Sequence, residues 1–415
     1  MADTQKQSPD DSPRDEKESP FFWWLKLFAR CSFAFGCAGT LILLLIYHWP
    51  EANVPVYYIV VRPSFVWFGA VLPFLLVGIL GVRLRWFAPV IVLWCIGLGA
   101  TGDYLPLFRY APGSSRVDFA TARMAYREGN DGPANSGAAR VPLRIITWNI
   151  AGGRRMRVED EFGRLARLSP DIVLLQECSS GLVREARRKA AVFEEYESAG
   201  GRQAILSRFP VSQLSTGELG RWRVRAWKVR VSPESRVVVI TVHLASQPLR
   251  TQFLRGWSFS QLRKAIGTYQ KELHGVRAMV EKYSRRWPVI LAGDFNLPPC
   301  YPPLRRLRRR LKDCFSARGY GWGKTVPASF PVVRIDMIMV PRSSRVYYAA
   351  ALPTDGSDHR PVIAEATVPA RSRAEAGLPV GRGRNARKGV LMGKPGRWAR
   401  GEPIGGIALN ERRTN

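Results

Sequence analysis

The sequence predicts an α/β domain of packed sheets with helices on the outside, preceded by membrane-spanning helices. Short β-branched runs alternate with fewer helical patterns over residues 141–369. Nearly charge-free runs precede them, between about residues 31 and 102. A chain of 415 residues with 46% hydrophobic content can bury a sizeable core and still leave length for an additional region.

Residues 1–20 are polar, rich in Asp, Ser and Pro, and lack the basic start of a secretory signal peptide, so they predict a disordered tail. Aromatic residues typical of a membrane interface follow at positions 21–24. Uncharged stretches then occupy residues 31–49, 63–82 and 86–102. Three such runs in succession favour membrane spans over buried helices of a soluble core. We therefore predict three transmembrane helices within residues 21–102.

Basic residues near these stretches predict their orientation. Lys26 and Arg30 precede the first stretch, and Arg83 and Arg85 lie between the second and third. Positive charges close to spans stay on the cytoplasmic side. Three spans then place the following domain on the non-cytoplasmic side of a multi-pass membrane protein.

Two further segments flank the predicted domain of residues 141–369. Residues 103–140 are rich in Gly, Ser, Ala and Asn without clear periodicity, which predicts a flexible linker. Residues 370–415 are rich in Gly and Arg and predict a basic disordered tail. The net charge of +30 indicates attraction to polyanions such as nucleic acid or anionic lipid, with an Arg-rich solvated surface as the alternative. The six cysteines show no paired metal-ligand spacing and are interpreted as structural.

Predicted strands cover residues 143–150, 171–175, 237–242, 289–292, 332–340 and 361–368, and predicted helices cover 158–168 and 261–283. Polar side chains follow the ends of these strands. Asn149 ends the first strand and Glu177 follows the second. Hard cations such as Mg²⁺ take oxygen ligands. We therefore predict that the Glu177 carboxylate binds a metal ion, with the Asn149 amide oxygen as a second ligand.

Other strand ends carry further candidate residues. Asp294 and Asn296 follow a buried strand and a glycine, two residues apart, so that they could position an attacking water and bind a phosphate oxygen. Asp358 adjoins His359, which pairs a metal ligand with a group able to face phosphate. His243 ends another strand, whereas His274 is predicted to lie on a helix surface without a role.

These residues lie in seven short motifs that resemble the endonuclease/exonuclease/phosphatase superfamily, which includes deoxyribonuclease I-like proteins. The resemblance covers about residues 142–367, and the motifs stand in the family's order. They are Thr147-Trp148-Asn149, Leu175-Gln176-Glu177, Leu206-Ser207-Arg208-Phe209-Pro210, Val242-His243-Leu244, Gly293-Asp294-Phe295-Asn296, Arg334-Ile335-Asp336 and Ser357-Asp358-His359-Arg360-Pro361.

The resemblance implies a four-layer α/β/β/α sandwich and a role for each residue. Asn149 and Glu177 are expected to bind Mg²⁺, or Mn²⁺ as an alternative, with Asp358 as a further ligand. Asp294 is expected to orient or deprotonate the nucleophilic water. Asn296, His243 and His359 would then bind the scissile phosphate, and Asp336 would orient His359. These roles suit in-line attack at phosphorus, where negative charge develops in the transition state.

The sequence therefore predicts a membrane-anchored, metal-dependent hydrolase of a phosphodiester in nucleic acid or a phospholipid headgroup. The alternative is a membrane-tethered protein that binds nucleic acid or anionic lipid without turnover. Residues 246–269, with Arg250, Arg255, Trp257 and Lys264, form either a basic aromatic rim for bases or headgroups or an ordinary surface. Residues 305–312 are predicted to form a basic amphipathic helix. This helix either covers a phosphate-binding face or is only a solvated surface helix.

Overall fold

The computed structural model describes residues 19–48, 64–102, 109, 113–127, 140–154, 156–190, 195–198, 202–217, 223–233, 235–246 and 259–369. The predicted basic tail, residues 370–415, and nearly all of the predicted N-terminal tail lie outside the described residues. Arg250, Arg255 and Trp257 of the predicted basic rim also lie outside them, while Lys264 is an exposed helix residue.

Strands form two six-stranded sheets. The first sheet contains β1 (Arg140–Asn149), β2 (Ile172–Gln176), β3 (Glu195–Ser198), β4 (Gln203–Ser207), β11 (Arg345–Ala351) and β12 (Val362–Pro369). Its strand order is β11-β12-β1-β2-β4-β3, with β1 and β2 parallel and the other neighbours antiparallel.

The second sheet contains β5 (Val211–Leu214), β6 (Val224–Val229), β7 (Val237–His243), β8 (Val289–Asp294), β9 (Leu311–Asp313) and β10 (Asp336–Pro341). Its strand order is β5-β6-β7-β8-β10-β9, and β7 and β8 are its parallel pair. Continuous apolar runs form the central strands because both faces of each sheet are covered, as the fully buried run from Val237 to Val242 shows.

The helices are α1 (Pro20–His48), α2 (Ser64–Val77), α3 (Phe87–Gly102), α4 (Gly113–Arg127), α5 (Val158–Arg167), α6 (Ser180–Ala190), α7 (Phe259–Ser284), α8 (Pro302–Arg305) and α9 (Cys314–Arg318). One apolar cluster, which includes Ile145, Trp227 and Ile290, fills the space between the sheets. A second cluster packs α5 and α6 on the first sheet through Phe162 and Val183, and a third packs α7 and α8 on the second. The predicted mixed α/β fold with two packed sheets is confirmed.

The prediction of three membrane spans is wrong. Among the described residues, one helix is long and apolar enough to cross a membrane, over Pro20–Tyr47, and a signal sequence near an N-terminus would satisfy the same criteria. The other two apolar helices, Val66–Leu80 and Phe87–Gly97, are shorter than the roughly 20 residues that a bilayer core requires. Pro73 lies inside α2, and a short 3-10 turn, Gly78–Leu80, ends the run.

The prediction of a flexible linker is wrong for Gly113–Arg127, which forms helix α4. Phe119 is buried against Tyr347, with a ring-centroid distance of 5.6 Å. Arg123 forms a 2.6 Å ion pair with Asp171, which precedes β2. Helix α4 is therefore packed on the first sheet.

The prediction of a basic helix over residues 305–312 is also wrong. Helix α8 ends at Arg305, a 3-10 turn covers Arg306–Arg309, and the chain enters β9 at Leu311. Leu307 and Leu311 are buried between exposed arginines. The apolar positions thus anchor an irregular connection, which a helical pattern alone could not distinguish from a helix.

Candidate active site

The ends of five strands and the loop before β12 bring the predicted site residues other than Asp358 to one edge of the two sheets. His243 and Asp294 are register partners at the ends of parallel β7 and β8. Asp294 also faces Asp336, the first residue of antiparallel β10. Asn149 ends β1 in the other sheet, and Glu177 directly follows β2. The carboxyl ends of the parallel pairs therefore meet across the interface between the sheets.

Gly293 explains why β8 can end so close to its neighbour. It has φ of 138°, and a Cβ atom at this position would lie 2.0 Å from the main-chain oxygen of Val242. A side chain there would separate β8 from β7. The glycine therefore permits the close pairing that places Asp294 beside His243.

One oxygen, Asp294 Oδ2, is the point on which the side chains converge. The Asn149 and Asn296 amides donate hydrogen bonds to it at 3.0 and 3.3 Å. The Nε2 atoms of His243 and His359 approach it at 3.8 and 3.9 Å, which is too far for hydrogen bonds. Two imidazole nitrogens and one buried carboxylate oxygen thus face the same small space.

Burial, together with the neighbouring Asp336 carboxylate, raises the pKa of Asp294 to about 6. Burial lowers the pKa of His243 to about 4, against the opposing effect of Glu177. At neutral pH Asp294 is therefore an ionised carboxylate able to accept a proton, and His243 is a neutral imidazole.

His359 is held in one orientation by its neighbours. Its Nδ1 lies 3.2 and 3.0 Å from the two carboxylate oxygens of the fully buried Asp336. Its main-chain N–H donates to Ser357 Oγ, and its carbonyl accepts a hydrogen bond from the Trp148 indole at 2.9 Å. An Nδ1–H donated to Asp336 leaves Nε2 directed at the cleft.

Glu177 lies in the left-handed region with φ of 54°. Its carboxylate accepts hydrogen bonds from Arg202 at 2.9 Å and from the Asn149 amide at 3.2 Å, and it lies 3.4 Å from His243 Nε2. Asn296 has φ of 53°, a conformation that asparagine tolerates better than most residues. Unusual backbone conformations of this kind concentrate at functional sites.

The oxygen-rich donor set fits a hard divalent cation. Glu177 is partly exposed to the cleft, with 26% of its side chain accessible, and its two oxygens already receive donors. Asp294, Asp336 and His359 could also hold a metal ion, since one donor atom of each lies within 4.8 Å of the others. Among the described residues no cysteine joins such a group, and all six cysteines are free.

Two predicted site residues already make hydrogen bonds within the protein. The Asn149 oxygen accepts a hydrogen bond from the main-chain N–H of Ala151 at 3.0 Å, and its second lone pair remains available to a metal ion. Asn296 donates to the Leu244 carbonyl at 2.8 Å and to Asp294. Its amide hydrogens position Asp294 before any phosphate arrives.

Asp358 is not drawn into the cluster. Its side chain is exposed, while the following His359 is buried. Its carbonyl accepts a hydrogen bond from the Ala328 N–H at 2.8 Å, and Arg360 donates to the Ala328 carbonyl at 2.8 Å. The loop before β10 therefore supports the Asp358–His359 turn, and exposed Phe330 lies on this loop.

The sequence motifs did not single out two supporting interactions. Buried Gln176 of β2 donates to Thr241 of β7 at 3.0 Å and so joins the two sheets beneath the site. Arg202 forms the ion pair with Glu177 across 25 residues of sequence. Gln176 lies inside a motif that pointed to Glu177, whereas no local signal marks Arg202.

The model of the Endonuclease/Exonuclease/phosphatase family matches residues 146–359, more than half of the chain. The chain belongs to this family, and the family places it among hydrolases of the phosphoesterase or nuclease type. No curated protein matches the sequence significantly.

The solved structures that match the chain share little sequence with it. An endonuclease/exonuclease/phosphatase family protein from Bacteroides thetaiotaomicron is 17% identical, with a TM-score of 0.43, covering 55% of this chain and 98% of that one. The mannosyl-6-phosphatase Bt3783 from Bacteroides thetaiotaomicron is 17% identical, with a TM-score of 0.40 and coverages of 54% and 99%. TDP2 from D. rerio, complexed with single-strand DNA product, is 20% identical, with a TM-score of 0.42 and coverages of 54% and 98%.

Proposed function

We propose that the chain is a membrane-anchored phosphoesterase that hydrolyses a phosphodiester with Mg²⁺, or Mn²⁺ as an alternative. The substrate is a nucleic acid or a phospholipid headgroup, both of which suit a chain of net charge +30. The observation that carries the proposal is the convergence of His243 and His359 on the buried carboxylate of Asp294, beside Glu177.

Asp294 is the proposed acceptor of the proton from the attacking water. Its raised pKa of about 6 leaves it ionised near neutral pH and basic enough to take that proton. Asn149 and Asn296 keep its Oδ2 atom in place through their amide hydrogens. As the proton moves to this carboxylate, the water oxygen gains hydroxide character and attacks phosphorus. The bond to the leaving oxygen breaks on the opposite side.

His243 and His359 are the proposed donors to the phosphate oxygens. Each directs Nε2 toward the space beside Asp294. His359 donates its Nδ1–H to Asp336. Its Nε2 atom therefore carries a hydrogen only when the ring is protonated or when the proton moves from Nδ1 to Nε2. A protonated His359 next to two carboxylates would carry positive charge where the phosphate gains negative charge.

Glu177 and Asn149, with Asp358 as a further ligand from the exposed turn, are the proposed metal-binding residues. A bound divalent cation supplies Lewis-acid polarisation of a phosphate oxygen and charge neutralisation. The partly exposed carboxylate of Glu177 presents oxygen to the same cleft that Asp294 lines. Binding there would compete with the Arg202 ion pair for Glu177.

Helix α1 is the proposed membrane anchor. The exposed large apolar side chains of the described residues concentrate on helices α1 to α3, including Leu41, Ile42 and Leu45 of α1. Lys26 and Arg30 near its start favour a cytoplasmic N-terminus and a catalytic domain on the other side. We retain residues 141–369 as the proposed catalytic domain, with α4 packed on it.

The test uses the purified full chain in detergent with bis(4-nitrophenyl) phosphate. We expect hydrolysis with Mg²⁺, loss of activity with excess chelator, and recovery when Mg²⁺ or Mn²⁺ is returned. Full activity in excess chelator would contradict the proposal. A panel of single- and double-stranded DNA, RNA, sphingomyelin and inositol phosphates then assigns the substrate. No turnover of any member, together with tight binding of one, would favour the non-catalytic alternative.

A further inference from the structure

A cavity of about 340 Å³ lies on the outer helical layer of the second sheet, away from the candidate active site. Helix α7 contributes one wall and the turn before β9 contributes the other. The cavity is lined by Val280 together with Arg277, Glu281, Arg306, Leu307, Arg309 and Arg310. Its size is in the range of small-molecule sites.

The charge of this cavity is strongly unbalanced. Four guanidinium groups line it, and Glu281 is the one acidic residue in its lining. Within the described part of the chain, Arg277 and Arg306 have no ion-pair partner, and the same holds for Arg309 and Arg310. Like charges held close together repel each other unless an anion neutralises them. Guanidinium groups are the donors best matched to phosphate oxygens.

The cavity is separate from the catalytic cluster. The turn that lines it enters β9 at Leu311, which pairs with Pro341 at the far end of β10. Asp336, the site residue, is at the other end of that strand. Five residue-to-residue steps along the extended strand separate the two positions by roughly 17 Å. An anion in this cavity therefore does not occupy the candidate active site.

The same turn contacts the end of the apolar helix. Leu307 lines the cavity and is also a member of the buried cluster that contains Leu43 and Tyr47 of α1. The neighbouring Arg305 donates a hydrogen bond to the main-chain carbonyl of Tyr47. Tyr47 is the last residue of the candidate membrane span. The arginine-lined cavity thus begins beside the point where α1 would leave the bilayer.

We propose that this cavity binds the phosphate of an anionic phospholipid headgroup, at the membrane surface where α1 ends. A tyrosine at the end of a span lies at headgroup level, so residues packed against it share that level. Arginines at this depth attract anionic lipids. The inference rests on the proposed membrane anchor but not on the proposed hydrolysis, and it names a lipid partner held outside the catalytic cluster.

The experiment measures lipid enrichment around the full chain in nanodiscs. Discs are assembled from phosphatidylcholine mixed with phosphatidylglycerol, and the lipids retained by the released protein are counted by native mass spectrometry. The test variant carries Arg306→Gln, Arg309→Gln and Arg310→Gln, whose side chains are exposed and so are not needed for folding. The charge-matched control carries Arg167→Gln, Arg184→Gln and Arg188→Gln, which are exposed on the helices of the other sheet.

The wild-type chain and the control are expected to retain phosphatidylglycerol in preference to phosphatidylcholine. Each basic residue near an anionic surface contributes about fivefold, so the test variant is expected to lose at least about tenfold of this enrichment. Glu281→Gln removes the acidic residue of the cavity and is expected to raise the enrichment. Equal enrichment in the test variant and the wild-type chain, or an equal loss in the control, would overturn the proposal.

Two further measurements distinguish a failure of the lipid proposal from a failure of the proposed membrane anchor. Inorganic phosphate added to phosphatidylcholine discs should not reproduce the thermal stabilisation that phosphatidylglycerol gives; equal stabilisation would assign the cavity to a soluble anion and overturn the lipid proposal. A full chain that stays soluble without detergent or discs would contradict the anchor, and the lipid proposal with it. Hydrolysis of bis(4-nitrophenyl) phosphate is measured in the same samples, and the test variant should match the wild-type chain, since the cavity residues lie outside the site.

Discussion

At the scale of single residues, the proposed chemistry depends on how few positions Asp294 can adopt. Its Oδ1 accepts the main-chain N–H of Asn296 at 2.8 Å, and its Oδ2 accepts two side-chain amides. A carboxylate fixed in this way loses little entropy when a water binds to it. The two asparagines therefore contribute to the reaction through the geometry of Asp294, even where they do not touch substrate.

Asp336 provides the first residue-scale prediction. Asp336→Asn leaves the shape of the site intact but replaces the carboxylate that faces Nδ1 of His359 at 3.0 Å. We expect kcat to fall by roughly 10²–10⁴, the usual contribution of an acid or base catalyst, with little change in KM. Steady-state kinetics measure this, with exposed Asp355→Asn as the matched control. A kcat for Asp336→Asn close to that of the control would show that His359 needs no carboxylate partner.

The pKa values of Asp294 and His243 predict opposite effects of pH on the stability of the metal-free protein. Asp294 binds its proton more tightly when folded, with a pKa of about 6 against 3.8, so its contribution is lost as pH rises from about 4 to 6. His243 binds its proton less tightly when folded, with a pKa of about 4 against 6.5, so its contribution grows as pH rises through that window.

The two contributions nearly cancel in the wild-type chain, and single variants should separate them. With chelator present, the melting temperature of Asp294→Asn should rise more steeply between pH 4 and 6 than that of the wild-type chain. His243→Asn should show the reverse, and exposed His274→Asn should follow the wild-type curve. Parallel curves for all four proteins would mean that neither group is perturbed by folding.

At the scale of elements, helix α4 is an integral part of the domain. Among its described side chains, Phe119 is the fully buried one; it packs on Tyr347 and lies under the guanidinium of Arg144 at 5.7 Å. Arg116 stacks over Tyr348 at 4.5 Å, and Arg123 pairs with Asp171. The sequence around these residues has only a narrow apolar stripe, so its helix depends on partners far away in the chain.

Phe119→Ala tests whether α4 stabilises the catalytic domain. Removal of a buried phenylalanine costs about 3–5 kcal/mol, so we expect a melting transition lower by several degrees. Val117→Ala on the same helix removes a side chain that is 65% exposed and should change the transition little. Equal melting temperatures for both variants would show that the helix is not held on the sheet. Thermal denaturation of the full chain in detergent measures the difference.

Local patterns predicted several strands with long buried apolar runs, such as β1, β7, β8 and β12. They missed the short strand β4, although all five of its residues are buried. They also missed β5 and α4, whose stability comes from non-local partners rather than from an apolar run. The site residues at strand ends could be predicted because each follows a recognisable run. Arg202 could not be, since only folding brings it to Glu177.

At the scale of the whole molecule, the apolar helices and the catalytic domain share one buried cluster. Leu43, Tyr47 and Phe68 pack with Tyr301 and other residues of the outer helical layer. Gly36 and Gly97 let the helices approach closely, because a Cβ atom at either would lie 2.7 Å from a neighbouring side chain. The domain is therefore held next to the proposed anchor instead of on a free tether.

The anchor predicts a specific response to charge on helix α1. Leu41 and Leu45 are 52% and 64% exposed, so lysines there should not disturb internal packing but should prevent insertion. After an alkaline wash of membranes, the wild-type chain should stay in the pellet and Leu41→Lys/Leu45→Lys should not. Val117→Lys/Met124→Lys places the same charges on exposed positions of α4 and should remain in the pellet. Release of the wild-type chain by the wash would contradict the anchor.

The most direct test of the proposed function is the Mg²⁺-dependent hydrolysis of bis(4-nitrophenyl) phosphate by Asp294→Asn, compared with Asp355→Asn at an exposed position. Asn preserves the size of Asp294 but cannot take a proton from water. We expect kcat to fall by at least about 10²-fold, with a cooperative melting transition at neutral pH that shows the variant to be folded. A kcat for Asp294→Asn equal to that of the control would contradict water activation by this carboxylate and, with it, the proposed hydrolase.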